Sequence, residues 1–128
     1  MFKNLDLFRM SSAMAAHAGQ KQALTAQNVA NADTPGYIAR DLADFRTTFD
    51  PGSGAAHPKA TRSSHLHGVS AMNAMSAPLV GDGRETPNGN TVSLETEMLK
   101  SVSAKRQHDR ALAIYKTALS VLRSTIRS

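Results

Sequence analysis

Apolar and small residues recur at steps of three and four near each end of this 128-residue chain, and the pattern is lost in between. In the first stretch Leu5, Phe8, Ser12, Ala15, Gly19, Gln22, Ala26 and Val29 have the spacing that lines up one side of an α-helix. Most are small, so a neighbouring helix can come close. Met10, Met14 and Leu24 add a second apolar line, predicting a helix packed on more than one side. In the last stretch Leu94, Met98, Ser101, Lys105, His108, Leu112, Tyr115, Leu119, Leu122 and Ile126 alternate steps of four and three. That sustained 3.5-residue period predicts coiled-coil-like packing with a slight left-handed supercoil, with Ser101, Lys105 and His108 as a polar break in the seam. Ser93 is placed to cap this helix, and Glu95 and Glu97 complement the positive end of its dipole. At 1.5 Å per residue the two helices would run roughly 35–40 Å and about 50 Å.

The first helix stops in a polar turn. Asn28, Asn31, Asp33 and Thr34 carry short side chains that bond their own backbone. Pro35 fixes its φ and disfavours helix at Thr34, and Gly36 is free to take a positive φ. Tyr37 stands at the exit, where its ring can pack while its hydroxyl finds a polar partner.

Residues 50–91 hold six of the eight glycines, four of the five prolines and three of the five histidines, a loop or linker composition with no aromatic anchor. Strand candidates lie at 37–49 and 80–85, and Gly81-Asp82-Gly83 and Asn88-Gly89 are turn signals that leave room for a short β-hairpin. The chain therefore divides into an N-terminal helix (1–31), a turn and extended segment (32–49), a middle segment (50–91) and a C-terminal helix (92–128). The fold class is mainly α: long terminal helices pairing as a coiled-coil-like unit around a loop-rich middle. All six aromatic residues lie outside 50–114 and much of the apolar content is alanine, which buries little area. Such helices are expected to finish their packing against other chains.

Composition narrows the chemistry. With no cysteine there is no disulfide, thiolate metal site or thiol nucleophile. Lys3, Asp6 and Arg9 interrupt the start of the chain, leaving no apolar run of roughly 7–15 residues for a cleavable signal peptide. Most of the net charge of +5 sits on the C-terminal segment, through Lys100, Lys105, Arg106, Arg110, Lys116, Arg123 and Arg127. These are spread around the helix with no groove-reading motif beside them. They read as a solvated face before they read as a nucleic-acid surface. His57, His65 and His67 have no carboxylate or cysteine at ligand spacing, so no metal or cofactor is expected. Asp41 with Asp44, and Ser63-Ser64-His65, lack a third orienting partner, so no enzyme activity is expected either.

The turn carries a resemblance. A helix followed by Asn28-Val29-Ala30-Asn31-Ala32-Asp33-Thr34-Pro35-Gly36-Tyr37 resembles the N-terminal signature of bacterial flagellar axial proteins of rod and hook. The narrower string Asn31 to Tyr37, followed by Ala39-Arg40-Asp41 and Asp44-Phe45, is similar to the proximal rod branch. Gly89-Asn90-Thr91-Val92-Ser93-Leu94-Glu95 with Glu97-Met98 resembles the same branch where its C-terminal helix begins. The resemblance implies a structural subunit of the proximal rod of the flagellar basal body, without catalysis. It would be exported by the flagellar type III apparatus without a cleavable signal and assembled in the periplasm. Its terminal helices would form part of a torque-transmitting shaft and channel wall. Implied partners are further copies of the chain, the adapter FliE, the rod proteins FlgC and FlgF, and the membrane ring and export gate. No nucleic acid or membrane insertion is implied. On this reading Asn28, Asn31, Asp33, Thr34, Pro35, Gly36 and Tyr37 form an assembly motif. Leu5, Phe8, Ala15, Leu94, Met98, Leu112, Tyr115, Leu119, Leu122 and Ile126 form the helix-packing interface. The alternatives are another axial protein such as FlgC, or a helical nucleic-acid-binding protein.

Overall fold

The computed structural model describes residues 2–49, 78–81 and 83–127, with side chains from Asp6 to Ile126. In chain order the elements are α1 (Phe2–Ala30), β1 (Arg40–Asp41), α2 (Phe45–Thr48), β2 (Leu79–Val80) and α3 (Leu94–Arg127). The mainly α architecture predicted from the two periodic stretches is what forms. The 29 residues of α1 and 34 of α3 give helices of about 43 and 51 Å. They lie side by side and antiparallel. Phe8 early in α1 meets Tyr115 late in α3, their ring centroids 5.2 Å apart and edge to face, while Asn28 near the end of α1 bonds Glu97 in the first turn of α3.

The seam between the helices is built from small residues. On α1 the buried positions include Ser11, Ala18, Thr25 and Asn28, and on α3 they are Glu97, Ala104, Ala111 and Ala118. Ser11 turns its hydroxyl onto the Phe8 carbonyl at 3.0 Å, so a polar side chain inside the seam is satisfied within its own turn. Here the structure corrects the stripes read from sequence. Ser12, Gly19, Gln22, Ala26 and Val29 on α1, and Met98, Lys105 and Leu112 on α3, point away from the partner helix, one position off the buried set. The period was right and the phase was set by side-chain size, which the shape of the seam does not follow. Each buried methyl contributes roughly 0.8 kcal/mol against the 1.5–3 kcal/mol of a buried leucine, so this pair is weakly held for its length.

The large apolar side chains of α3 stay outside. Leu94, Met98, Leu99, Val102, Leu112, Tyr115, Val121 and Ile126 are between 41% and 83% exposed. Among the described residues none of them is buried, although Tyr115 meets Phe8 of α1 edge to face.

Between the helices the chain makes a small two-stranded sheet, with Arg40 opposite Val80 and Asp41 opposite Leu79 in antiparallel register. The strands fall at or beside the predicted places. β1 precedes the middle segment and β2 lies within it, so their pairing is not local. Asn88-Gly89 forms the predicted turn, with the Thr86 amide donating to the Asn90 carbonyl at 2.9 Å, and Gly81-Asp82-Gly83 includes a residue outside the described ones. A second difference is α2, in a segment read as extended. The Asp44 carbonyl accepts the amides of Thr47 and Thr48 at 3.0 and 3.2 Å, closing a single turn. Phe45 stacks on Phe49 and meets the buried His17 ring of α1 edge on, and His17 Nε2 donates to the Ala43 carbonyl at 2.9 Å.

Candidate functional site

The polar turn after α1 folds back against the segment leading into α3, and two buried asparagines hold the two together. Asn28, fully buried, uses all of its hydrogen-bonding capacity. Its Nδ2 donates to the Arg40 carbonyl at 2.8 Å and to Glu97 Oε2 at 3.0 Å. Its Oδ1 accepts from the Arg40 amide at 3.0 Å and the Tyr37 hydroxyl at 3.3 Å. One side chain thus ties α1 to the turn exit, to the start of β1 and to α3.

Asn90 does the same from the other side. Its Nδ2 shares two hydrogens among the carbonyls of Asn31, Ala32 and Thr34, at 3.0, 2.8 and 2.8 Å. Two of these turn carbonyls also accept a backbone amide, Asn31 from Thr34 at 3.0 Å and Thr34 from Tyr37 at 3.3 Å, so Asn90 adds to bonds the turn already makes. Its Oδ1 accepts the Val92 amide at 2.7 Å, fixing the chain as it enters α3. Thr91 continues the seal: its hydroxyl accepts the Ala39 amide at 2.8 Å and its own amide donates to the Tyr37 carbonyl at 3.0 Å.

Two glycines make the approach possible. Gly36 has φ +71° and Gly89 has φ +80°, the left-handed region that side chains resist. The two backbones touch there. A Cβ on Gly89 would lie 3.3 Å from Gly36 Cα, and the Gly36 amide donates to the Asn88 carbonyl at 3.0 Å.

A charged cluster borders this clasp. Lys100 Nζ lies 2.8 Å from Asp41 Oδ2 and 3.1 Å from Glu97 Oε1, so the buried Glu97 carboxylate is paired on one oxygen and hydrogen-bonded to Asn28 on the other. Burial pushes the Asp41 carboxyl up. The hydrogen bonds from Lys100 and the Leu42 amide, with the charges of Lys100 and Lys21, outweigh it and hold the group below its ordinary value. Burial likewise works to lower the pKa of Lys100, and its bonds to Asp41 and Glu97 reverse that and raise it. The cluster is an ion-paired strut, with no free carboxylate poised for proton transfer.

Of the turn residues singled out in the sequence, the clasp gathers Asn28, Gly36 and Tyr37 through their own groups, and Asn31 and Thr34 through their carbonyls. Asn31 also turns its Nδ2 onto the Gln27 carbonyl at 2.8 Å, closing the last turn of α1. Asp33 and Pro35 lie exposed on the outer rim. Of the proposed helix-packing residues, Phe8, Ala15, Leu119 and Leu122 are half-buried. Leu94, Met98, Leu112, Tyr115 and Ile126 belong to the exposed ridge, and the Leu5 side chain lies outside the described residues, as do His57, His65 and His67. Asp44, paired with Lys21 at 3.9 Å, faces solvent away from Asp41.

Asn90, Thr91, Glu97, Lys100 and Asp41 were not named as site residues, although Asn90, Thr91 and Glu97 stand in the string before the C-terminal helix that carries the resemblance and Asp41 in the one after the turn. Asn90 reads as an ordinary turn residue and Glu97 as a helix-start charge. One signal was present: Glu97 lies seven residues before Ala104, in phase with Ala111 and Ala118, and so on the inward line. Beside the turn a shallow groove is lined by Gly36, Tyr37, Ile38, Arg40 and Val80, with no converging pair of titratable groups. Among the described residues no cluster of three or more His, Asp or Glu side chains is placed to hold a metal. Among the same residues, no helix is long and apolar enough to cross a membrane.

The site thus belongs to a pair of long helices clasped at one end, with large apolar side chains left exposed on one of them. The model of the family described as flagella basal body rod protein matches residues 10–37, which run along α1 and through the turn to Tyr37. The chain is also 28% identical over 127 residues to the flagellar basal body rod protein FlgB of Agrobacterium fabrum, spanning 96% of this chain and 94% of that one. Both matches make the chain similar to flagellar basal body rod proteins.

Proposed function

We propose that this chain is a structural subunit of the proximal rod, which polymerises through its terminal helices into part of the drive shaft and channel wall and performs no chemistry. The observation that carries this reading is the exposed ridge of α3. Eight large apolar side chains of one helix stay between 41% and 83% exposed, more than a monomer needs to leave in water, and large exposed apolar surface marks association surfaces. The similarity to FlgB over nearly the whole chain supports the proximal part of the rod. On this reading the chain reaches the periplasm through the flagellar type III apparatus. It meets further copies of itself, FlgC, FlgF and FliE, close to the membrane ring and export gate.

Leu99→Asp and Val102→Asp test it, because both side chains lie on the ridge at 73% and 50% exposure and touch little within the chain. Each variant is expected to keep the parent's circular dichroism, to be exported, and to give non-motile cells whose basal bodies lack a rod in electron micrographs. Normal swimming in both variants would overturn the reading.

A further inference from the structure

The seam between α1 and α3 does not define its own register. Its innermost residues are small and repeat by seven: Ser11, Ala18 and Thr25 on one helix, Ala104, Ala111 and Ala118 on the other. Sliding one helix by seven residues, about 10 Å at the α-helical rise, again sets small side chains against small side chains. Such a slide breaks the edge-to-face contact of Phe8 with Tyr115. Seams of this kind take their register from polar residues, which lose their partners in every alignment but one.

Hydrogen bonds that tie α1 and its turn to α3 and the segment before it gather at the clasp end. Asn28 bonds Glu97 across the helix pair, and Asn90 binds three carbonyls at the end of α1. A slide carries the buried Glu97 carboxylate away from Asn28 Nδ2 and withdraws Asn90 from the turn. We infer that Asn28, Glu97 and Asn90 together set the register of the α1–α3 pair, and with it which residues of α3 form the outward ridge. The inference rests on contacts within one chain and does not depend on the rod reading.

The chain has no cysteine, so a spin-label pair at the exposed positions Ser12→Cys and Thr96→Cys is unique. Ser12 lies towards the Phe8–Tyr115 end and Thr96 at the clasp end, so a slide along the axis changes their separation by most of its length. Pulsed electron resonance on the labelled full chain is expected to give one distance. Glu97→Gln, whose amide oxygen still accepts from Asn28, is expected to keep it. Asn90→Ala combined with Glu97→Ala is expected to add a second population displaced by about 10 Å, one heptad at the helical rise. The inference is overturned if the double variant keeps the single parent distance. It is equally overturned by a second population in Glu97→Gln, or by a broad, featureless distribution in the parent or the double variant, since the clasp would then hold the fold together without choosing its register.

Discussion

Replacing Asn90 separates the chemistry of the clasp from its shape. The side chain is buried and makes four contacts: three through Nδ2 to the carbonyls of Asn31, Ala32 and Thr34, and one from the Val92 amide to Oδ1. Two hydrogens serve the three carbonyls, so the group counts as about three hydrogen bonds, each contributing a net 0.5–1.5 kcal/mol. The Thr34 carbonyl is on the exposed rim and regains water on truncation, whereas those of Asn31 and Ala32 are half-buried. Asn90→Ala should therefore cost about 2–4 kcal/mol, a large share of the roughly 5–15 kcal/mol that holds a typical domain. Asn90→Asp keeps the volume but places a carboxylate oxygen where the amide nitrogen sits, within 3.0 Å of three carbonyl oxygens. Repulsion then adds to the lost bonds, and the near-isosteric change should be the more damaging of the two. Urea unfolding of the full chain followed by far-ultraviolet circular dichroism gives the order directly. If Asn90→Asp proves as stable as Asn90→Ala, or more so, Asn90 fills space and does not act as a donor.

Three further outcomes follow from the same geometry. Gly36→Val should destabilise by about 1–3 kcal/mol through its positive φ and reduce motility with export intact, while Gly36→Asn, which tolerates that conformation, should be milder. Equal urea midpoints for the two variants would count against a left-handed Gly36. The lowered Asp41 carboxyl contributes stability that is in place above its ordinary value of 3.8 and is lost as pH falls through the lowered one. Lys100, raised above 10.5, contributes below that value and loses its share as pH rises through the raised one. Asp41→Asn should flatten the acid limb of a urea-midpoint profile. Amide exchange on dilute monomer should show protection falling from the clasp end, where Asn28 and Asn90 make their bonds, towards Asp6–Met10 and Val121–Ile126, and uniform protection along both helices would contradict this.

The sequence read the long helices, their periods and the stop at Asn31–Gly36 correctly, because helix periodicity and turn chemistry are local properties. Tyr37 and Gly36 do what their types suggest: the hydroxyl finds Asn28 and the glycine takes φ +71°. The partners of the turn were not legible, since Asn90 and Glu97 lie far along the chain and look like an ordinary loop residue and an ordinary helix-start charge. The phase of the seam failed for a more instructive reason. Ranking positions by hydrophobicity puts Met98, Leu112 and Ile126 inside, yet the chain buries Ala104, Ala111 and Ala118 and leaves the larger residues in water. In a self-contained domain that choice would forfeit much of the available stabilisation, because a leucine buries several times what an alanine methyl does. It is reasonable in a subunit whose larger buried surface lies between chains. Close intrachain packing of small residues then keeps the helix pair thin, and the clasp fixes the angular position of the ridge. On the proposed reading, the energy of the fold is displaced outward, onto contacts that form only in the assembly. Hydrophobicity along this sequence is thus a better map of the rod than of the monomer.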